Sequence, residues 1–309
     1  MLKTKQGIII NDDVVKYYVS NYGTAAIMWL NNIDTIIDIF EKKWHISIVD
    51  SESNVNFTVL LYGKSYIYGD IVLKMIPPFC PRLQREVYFY NELPYSNMAK
   101  IVEYDLKLGG FLMQRIHHCE NSIKLETVSG LFKKMYEERK RTKGLNQNYS
   151  YEFDFFKSIN FAKSQIVESK DDKLLKYLPI IEKSIHYYKD SKRGTSLFLI
   201  HGDAHSHNIL CDNESIYLID PIGYAGPFEV EYARFIGTYI RENENYIHLS
   251  DIIEFFVDKG LLSNNVALAV GYDVTMRACN TFREKNTLKE IVDSFEWARK
   301  TCSSVDALL

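Results

Sequence analysis

The sequence predicts an α+β protein of two lobes, a small antiparallel β lobe followed by a larger, mainly helical one. Three observations point there. From about His45 to Ile76, β-branched and aromatic residues dominate and short turn signals interrupt them. From Val128 onward, apolar residues recur at helical spacing. Two further strand patterns, Leu197 to Ile200 and Ile216 to Ile219, then bracket a polar stretch rich in histidine, aspartate and asparagine.

The 309 residues, 46% of them hydrophobic, suffice to bury cores in two lobes, expected at 1–116 and 117–309. Basic residues number 37 and acidic residues 40, a balance that argues against a nucleic-acid partner. The five cysteines, Cys80, Cys119, Cys211, Cys279 and Cys302, are scattered and never in Cys-x-x-Cys spacing. Neither a disulfide framework nor a zinc site is expected, and a reducing cytoplasm fits. The apolar runs at 8–10 and 25–40 are short or broken by Asn31, Asn32, Asp34 and Asp38, so neither a signal peptide nor a membrane partner is expected. With no repeat and no long Pro/Gly/Ser linker, the lobes should pack together as a monomer or homodimer.

Turn signals at Ser51 to Asn54, Gly63-Lys64 and Gly69-Asp70 divide the first β region into a meander of short strands. After Pro77-Pro78, Leu83, Val87 and Tyr90 mark a helix from Arg82 to Leu93 that must stop near Pro94. A hairpin, Ile101 to Leu108 and Phe111 to Ile116 around Gly109-Gly110, completes the first lobe. Helices are expected over Val128 to Lys143, Glu152 to Ser169 and Lys173 to Tyr188. The basic run Arg139 to Lys143 reads as a solvated helix C-terminus, where cations meet the dipole. Pro227 suits a first helical position, and Phe228, Tyr232, Phe235, Ile236, Tyr239 and Ile240 follow at intervals that bury one face.

The chemistry concentrates in His201-Gly202-Asp203-Ala204-His205-Ser206-His207-Asn208 and, one hairpin later, Leu218-Ile219-Asp220-Pro221-Ile222-Gly223. Phosphoryl transfer needs an acid beside the acceptor hydroxyl, and a carboxylate with an amide oxygen to hold Mg2+. Asp203, Asp220 and Asn208 supply those three groups. In the first lobe, Lys74 is a lone charge within Ile71-Val72-Leu73-Lys74-Met75-Ile76, a placement that calls for a partner, and Glu86 lies twelve residues on in the predicted helix.

The pattern His-Gly-Asp-x-His-x-x-Asn followed by Ile-Asp resembles the signature of aminoglycoside phosphotransferases and choline kinases, relatives of protein kinases. The resemblance implies a two-lobed protein-kinase-like fold and an ATP-dependent phosphotransferase with an alcohol acceptor, using Mg2+ and ATP or GTP. By it, Asp203 is the catalytic base, Asn208 and Asp220 are metal ligands, and Glu86 pairs with the phosphate-binding Lys74. Ser51 and Ser53 occupy the position of the phosphate-covering loop, though the turn Asp50-Ser51-Glu52-Ser53-Asn54 has no glycine. Phe111 to Ile116 is similar to the strand and connector that bind adenine, through backbone groups of Gln114 and Ile116.

The form Leu-Ile-Asp-Pro-Ile-Gly is similar to the streptomycin 6-kinase and hydroxyurea-kinase branch. The continuation Gly226-Pro227-Phe228-Glu229-Val230-Glu231-Tyr232-Ala233 keeps the family's glycine, an acid at Glu231 and the alanine, and lacks its first aspartate. Glu231 reads first as an acid tying this helix to the catalytic loop and second as a substrate ligand. An aminoglycoside-like cationic acceptor would call for carboxylates, with Glu229, Glu231, Glu242, Glu244 and Asp273 as candidates. Choline, with an aromatic cage drawn from the 22 tyrosines, a sugar or homoserine would use the same machinery. A nucleotide-binding pseudokinase is the rival from another class, although Lys74, Asp203, Asn208 and Asp220 are all present. His201 and His205 should brace the loop, with His117, His118 and His207 on surfaces.

Overall fold

The computed structural model describes residues 2–3, 7, 9–52, 57–93, 97–117, 124–142, 147–193, 195–212, 215–243, 248–259, 265–284 and 286–309. Two compact units form, one from Met1–Cys119 with Cys211–Tyr217, the other from Glu120–Leu210 with Leu218–Leu309.

The first unit begins with a short strand pair, β1 (Leu2–Lys3) and β2 (Ile9–Ile10), then helices α1 (Asp12–Tyr22), α2 (Thr24–Asn31) and α3 (Ile33–Trp44). In α3, Ile33, Ile37, Phe40 and Trp44 recur at intervals of four, three and four and are buried. Its last turn carries Lys42 and Lys43, and His45 closes it in a left-handed conformation, φ 51°. The helix seats on the sheet so closely that a Cβ on Gly110 would lie 2.8 Å from the Phe40 ring.

That sheet holds β3 (Ile46–Ser51), β4 (Val59–Ser65), β5 (Gly69–Met75), β6 (Ile101–Asp105) and β7 (Gly110–Gln114), all antiparallel, in the order β3-β4-β5-β7-β6. Between β5 and β6 comes α4 (Pro81–Glu92), opened by proline at its first position, where the missing N–H has no helical partner to lose. Two expected turns are corrected: Gly63-Lys64 lies inside β4 and Gly69-Asp70 opens β5, with the reversal between them at 66–68. Gly63 is there for close approach, since a Cβ would stand 2.6 Å from the Ser47 carbonyl oxygen.

The second unit contains α5 (Leu125–Glu138), α6 (Tyr151–Ser169), α7 (Asp172–Leu175), α8 (Leu178–Ser191), α9 (Glu229–Glu242), α10 (Leu249–Asp258), α11 (Asn265–Arg283) and α12 (Leu288–Leu308). Helix α11 is the axle, packed by α6, α8, α9 and α12. Tyr187 of α8 fits over Gly271, where a Cβ would come within 2.7 Å of its ring. Short strands β8 (Phe198–Ile200), β9 (Ile209–Asp212), β10 (Ser215–Leu218) and β11 (Tyr224–Gly226) pair as β8 with β11 and β9 with β10; the residues 211–217 at the tip of the second pair group with the first unit.

Three expectations for this half are corrected. Helix α5 stops at Glu138, and the basic run does not end it: Arg139 turns extended at ψ 142°, the Lys140 carbonyl accepts from the Leu199 amide, and Arg141 bridges Phe198. The third expected helix is two, α7 and α8, because Pro179 cannot continue the first and instead sits in the first turn of the second. Helix α9 starts at Glu229, two residues after Pro227. Among the described residues, no helix is long and apolar enough to cross a membrane, and Cys80, Cys211, Cys279 and Cys302 are buried thiols outside any disulfide.

Candidate functional site

In the first unit Lys74 sits on β5, between β4 and β7, paired in register with Leu60 and Phe111. Its side chain is 1% exposed and its Nζ stands 2.7 Å from Oε2 of Glu86, itself wholly buried on α4. The other carboxylate oxygen of Glu86 accepts from Arg82 Nε one turn earlier. A buried ammonium and a buried carboxylate are each costly alone, so the pair and its arginine hold one another in place. Ser51 ends β3, paired with Leu61, and Ser53 lies outside the described residues. Gln114 ends β7 with its amide bonded to the Lys100 carbonyl, and Ile116 is half-buried just beyond.

In the second unit, β8 leads into the loop 201–205 and a 3-10 turn, Ser206–Asn208. Backbone bonds draw the loop and the Asp220 turn together. The amides of Ile222 and Gly223 donate to the His201 carbonyl, and the Ile219 amide donates to the Asn208 carbonyl. His201 is fully buried: Nε2 lies 2.8 Å from the Ile219 carbonyl, and Nδ1 accepts from the Asp203 amide. Burial pushes its imidazole down to about 4, against the pull of Asp203 and Asp220, so the ring stays neutral. Gly202 has φ 77°, and a Cβ there would strike the Tyr224 ring at 2.3 Å.

Asp220 takes φ 59°, a left-handed conformation that costs most L-residues about 1–2 kcal/mol and that aspartate tolerates better than most. Asn208 is buried, and its Nδ2 donates to the Asp203 carbonyl at 2.9 Å and contacts Asp203 Oδ2 at 3.4 Å. That commits the NH2 end of the amide and leaves Oδ1 as the atom that could ligate a metal. The set of an amide oxygen and one carboxylate, with few other protein ligands, fits Mg2+, which keeps waters and takes substrate phosphates as further ligands. Among the described residues no group of three or more His, Cys, Asp or Glu is arranged to hold a metal by itself.

Asp203 is the centre of a charge cluster that sequence reasoning did not find. Arg234 Nε donates to its Oδ1 at 2.7 Å, Arg277 Nη1 stands 3.5 Å from the same oxygen, and His205 Nε2 is 3.6 Å from Oδ2. Burial would raise its pKa, but Arg234, His205 and Arg277 outweigh burial and hold the carboxyl well below the usual range. Arg277 is anchored in turn, Nε to Asp273 Oδ2 at 3.0 Å, while the Tyr151 hydroxyl donates to Asp273 Oδ1 at 2.6 Å. The signal was present in sequence: Asp273 and Arg277 are four apart within an otherwise apolar helical run, a spacing that puts both on one face.

The acids expected to meet a cationic acceptor are placed as follows. Glu231 is fully buried and accepts from the amides of His201 and Gly202, bracing the loop from α9. Glu242 accepts from Ser206 Oγ at 2.8 and 2.9 Å and pairs with His207 Nε2 at 3.0 Å. Asp273 is bound by Arg277 and Tyr151; Glu229 is half-buried in the first turn of α9; Glu244 lies outside the described residues, as does His118. His207 and His117 are exposed, the latter beside Asp70.

This architecture is the two-lobed α+β kinase-like fold. It is similar to a choline kinase from Streptococcus pneumoniae (TM-score 0.63, 16% identity, covering 88% of this chain and 99% of that one). An ethanolamine kinase from Plasmodium vivax matches with TM-score 0.59 and 11% identity over 94% of each chain. An aminoglycoside phosphotransferase bound to ADP and hygromycin B matches with TM-score 0.58 and 14% identity, covering 88% of this chain and 97% of that one. No protein-family model matches the sequence, and no curated protein does.

Proposed function

We propose that this protein is a small-molecule kinase that transfers the γ-phosphoryl group of ATP, or GTP, to a hydroxyl of its acceptor, with Asp203 as the catalytic base. The observation that carries the reading is the Asp203 carboxylate, kept ionised and oriented by Arg234 at Oδ1, with Asn208 bonded to its backbone and the Asp220 turn pinned to the same loop. The kinase-like fold and the buried Lys74–Glu86 pair support a nucleotide site in the first unit. Asn208 and Asp220 would hold Mg2+, whose charge supplies electrostatic stabilisation of the transferring phosphoryl group.

Asp203 Oδ2, whose contacts are the longer ones, is the oxygen free to accept a hydrogen bond from the acceptor hydroxyl. A carboxylate this acidic is a poor base in the ground state. Its work is to aim the hydroxyl oxygen in line and to take the proton as the transfer proceeds, which suits a loose transition state that needs positioning more than deprotonation. His201, neutral, accepts from the Asp203 amide at Nδ1 and donates from Nε2 to the Ile219 carbonyl, so it keeps the loop in shape and takes no part in proton transfer.

The solved structures of similar fold are named for choline, ethanolamine and an aminoglycoside, which supports a small hydroxyl compound as acceptor. The test is acceptor-dependent ADP release with Mg-ATP and Mg-GTP across streptomycin, other aminoglycosides, choline and simple sugars and sugar acids. Asp203→Ala should lower turnover about 10²- to 10⁴-fold. Nucleotide binding without turnover on any acceptor would favour a regulatory nucleotide-binding module.

A further inference from the structure

Arg234, Arg277 and His205, the three groups that contact Asp203, line a cavity of about 190 Å3 in the second unit whose wall also includes Arg241 and Trp297. A larger cavity of about 420 Å3 shares Arg234, Arg241, Arg277 and Trp297 with it. The charge of these walls is not that of a cation receptor. The inner cavity has one carboxylate, Asp273, only 2% exposed and already bound by Arg277 and the Tyr151 hydroxyl. In the outer one, Glu290 is consumed by the N-terminal cap of α12, accepting from the Thr287 amide and hydroxyl at 2.7 Å. That leaves Glu284 and Asp293, both exposed at the surface, with Glu284 near enough to Arg277 and Arg234 to share their charge.

Arg241 differs from its two neighbours. Arg234 and Arg277 have carboxylate partners, whereas Arg241 has none among the described residues; its guanidinium lies over the Trp297 ring, 5.2 Å from the centroid. A cation–π contact holds the guanidinium beside the indole without using its N–H donors, which stay available for bidentate recognition of a carboxylate or phosphate. Arg234 and Arg241 are seven residues apart on α9, so they sit on one face about two turns, or about 10 Å, apart. Because Arg234 and Arg241 line the same cavity, a ligand with its hydroxyl at Asp203 can present a second group to the long side chain of Arg241.

Resting on the kinase reading, we infer that the acceptor carries an anionic group, a carboxylate or a phosphate monoester, which docks on Arg241 while its hydroxyl meets Asp203. The arginine floor then sets the specificity: a cationic acceptor would face Arg234, Arg241 and Arg277 with no free carboxylate beside it in the inner cavity. Arg234 and Arg277 complete the positive field at the reacting end, and Trp297 serves as the platform that holds Arg241.

The experiment uses the whole chain and four probes on one hexopyranose frame: glucose, glucosamine, glucuronate and glucose 6-phosphate. Binding is measured by titration calorimetry in the presence of Mg2+ and a non-hydrolysable ATP analogue. Glucuronate or glucose 6-phosphate should bind more tightly than glucose and glucosamine, and whichever of the two binds tighter identifies the anion as carboxylate or phosphate. Arg241→Ala should weaken that binding about 10- to 100-fold, the loss of a charged bidentate contact. Arg241→Lys should recover only part of it, and Trp297→Leu, which removes the platform and keeps the charge, should also weaken it. Melting temperatures of the unliganded variants check that each is folded. Preference for glucosamine, anion binding indifferent to Arg241, or no binding by any probe at millimolar concentration would each overturn the inference. The kinase reading is tested separately by binding of the ATP analogue alone: loss of that binding with Arg241-dependent anion binding intact would remove the kinase reading and leave the anion site standing.

Discussion

Removing the Asp203 carboxylate tests both the chemistry and the electrostatics of the site. In the structure its side chain is 21% exposed, Arg234 is 17% exposed, and they meet at 2.7 Å. Exposed ion pairs contribute about 0–1 kcal/mol and loss of one member of a buried pair costs about 3–5 kcal/mol, so this partly buried pair should lie between, at about 2 kcal/mol. Asp203→Ala leaves two guanidiniums without the anion they share. Arg277 keeps Asp273, but Arg234 has no second carboxylate within ion-pair distance among the described residues; it keeps the Thr238 hydroxyl, the more distant charge of Asp273 and the like charge of Arg277. Asp203→Ala should therefore be destabilised by about 2 kcal/mol in urea unfolding, and Asp203→Ala with Arg234→Met should regain at least half of that while staying inactive. The cycle of the two single variants and the double variant should give a coupling energy of about 1–2 kcal/mol. An Asp203→Ala protein as stable as the parent, with no coupling in the cycle, would refute the claim that Arg234 and Asp203 hold each other.

Lys74→Met should weaken Mg-ATP binding at least tenfold, and because it strands Glu86 with Arg82 alone it should also lower stability; Lys74→Met with Glu86→Gln should recover stability but not nucleotide affinity, both readable by calorimetry. Gly202→Ala combines a positive φ with a clash on the Tyr224 ring, and should cost about 2 kcal/mol or more and reduce turnover through the displaced loop, checked by denaturation and ADP release. Burial, opposed by the two loop amides, pushes Glu231 up to about 8 in the folded protein, above its ordinary 4.5. Between those values the folded state holds a proton that the unfolded state has lost, so this residue's contribution is full below about 4.5 and is lost as pH rises toward about 8, by up to about 1.4 kcal/mol per unit. The parent's stability should fall with pH across that window more steeply than that of Glu231→Gln, as measured by unfolding at a series of pH values.

How much of this was legible in the sequence depends on the range over which each feature is decided. The meander, the proline-led helix α4 and the β6–β7 hairpin follow from local preferences, and their order carried the two-lobed α+β reading. The partnership of Lys74 with Glu86 was readable because a lone charge among β-branched neighbours must find an opposite one, and Glu86 lies twelve residues on in the helix that follows. Gly63 misled for a physical reason: glycine marks a turn or a close approach with the same letter, and only the position of the Ser47 carbonyl decides between them.

The chain by itself determined which groups could do phosphoryl chemistry, since Asp203, Asn208 and Asp220 come from one short hairpin whose spacing is written in order along the sequence. Only the tertiary structure decided what surrounds them. Arg234 arrives from α9 and Arg277 from α11, 31 and 74 residues beyond Asp203, and Trp297 comes from a third helix, α12. Side chains so far apart in sequence meet only because α11 packs against α9 and α12, and the charge of the resulting cavity is a property of that packing, which no local pattern encodes.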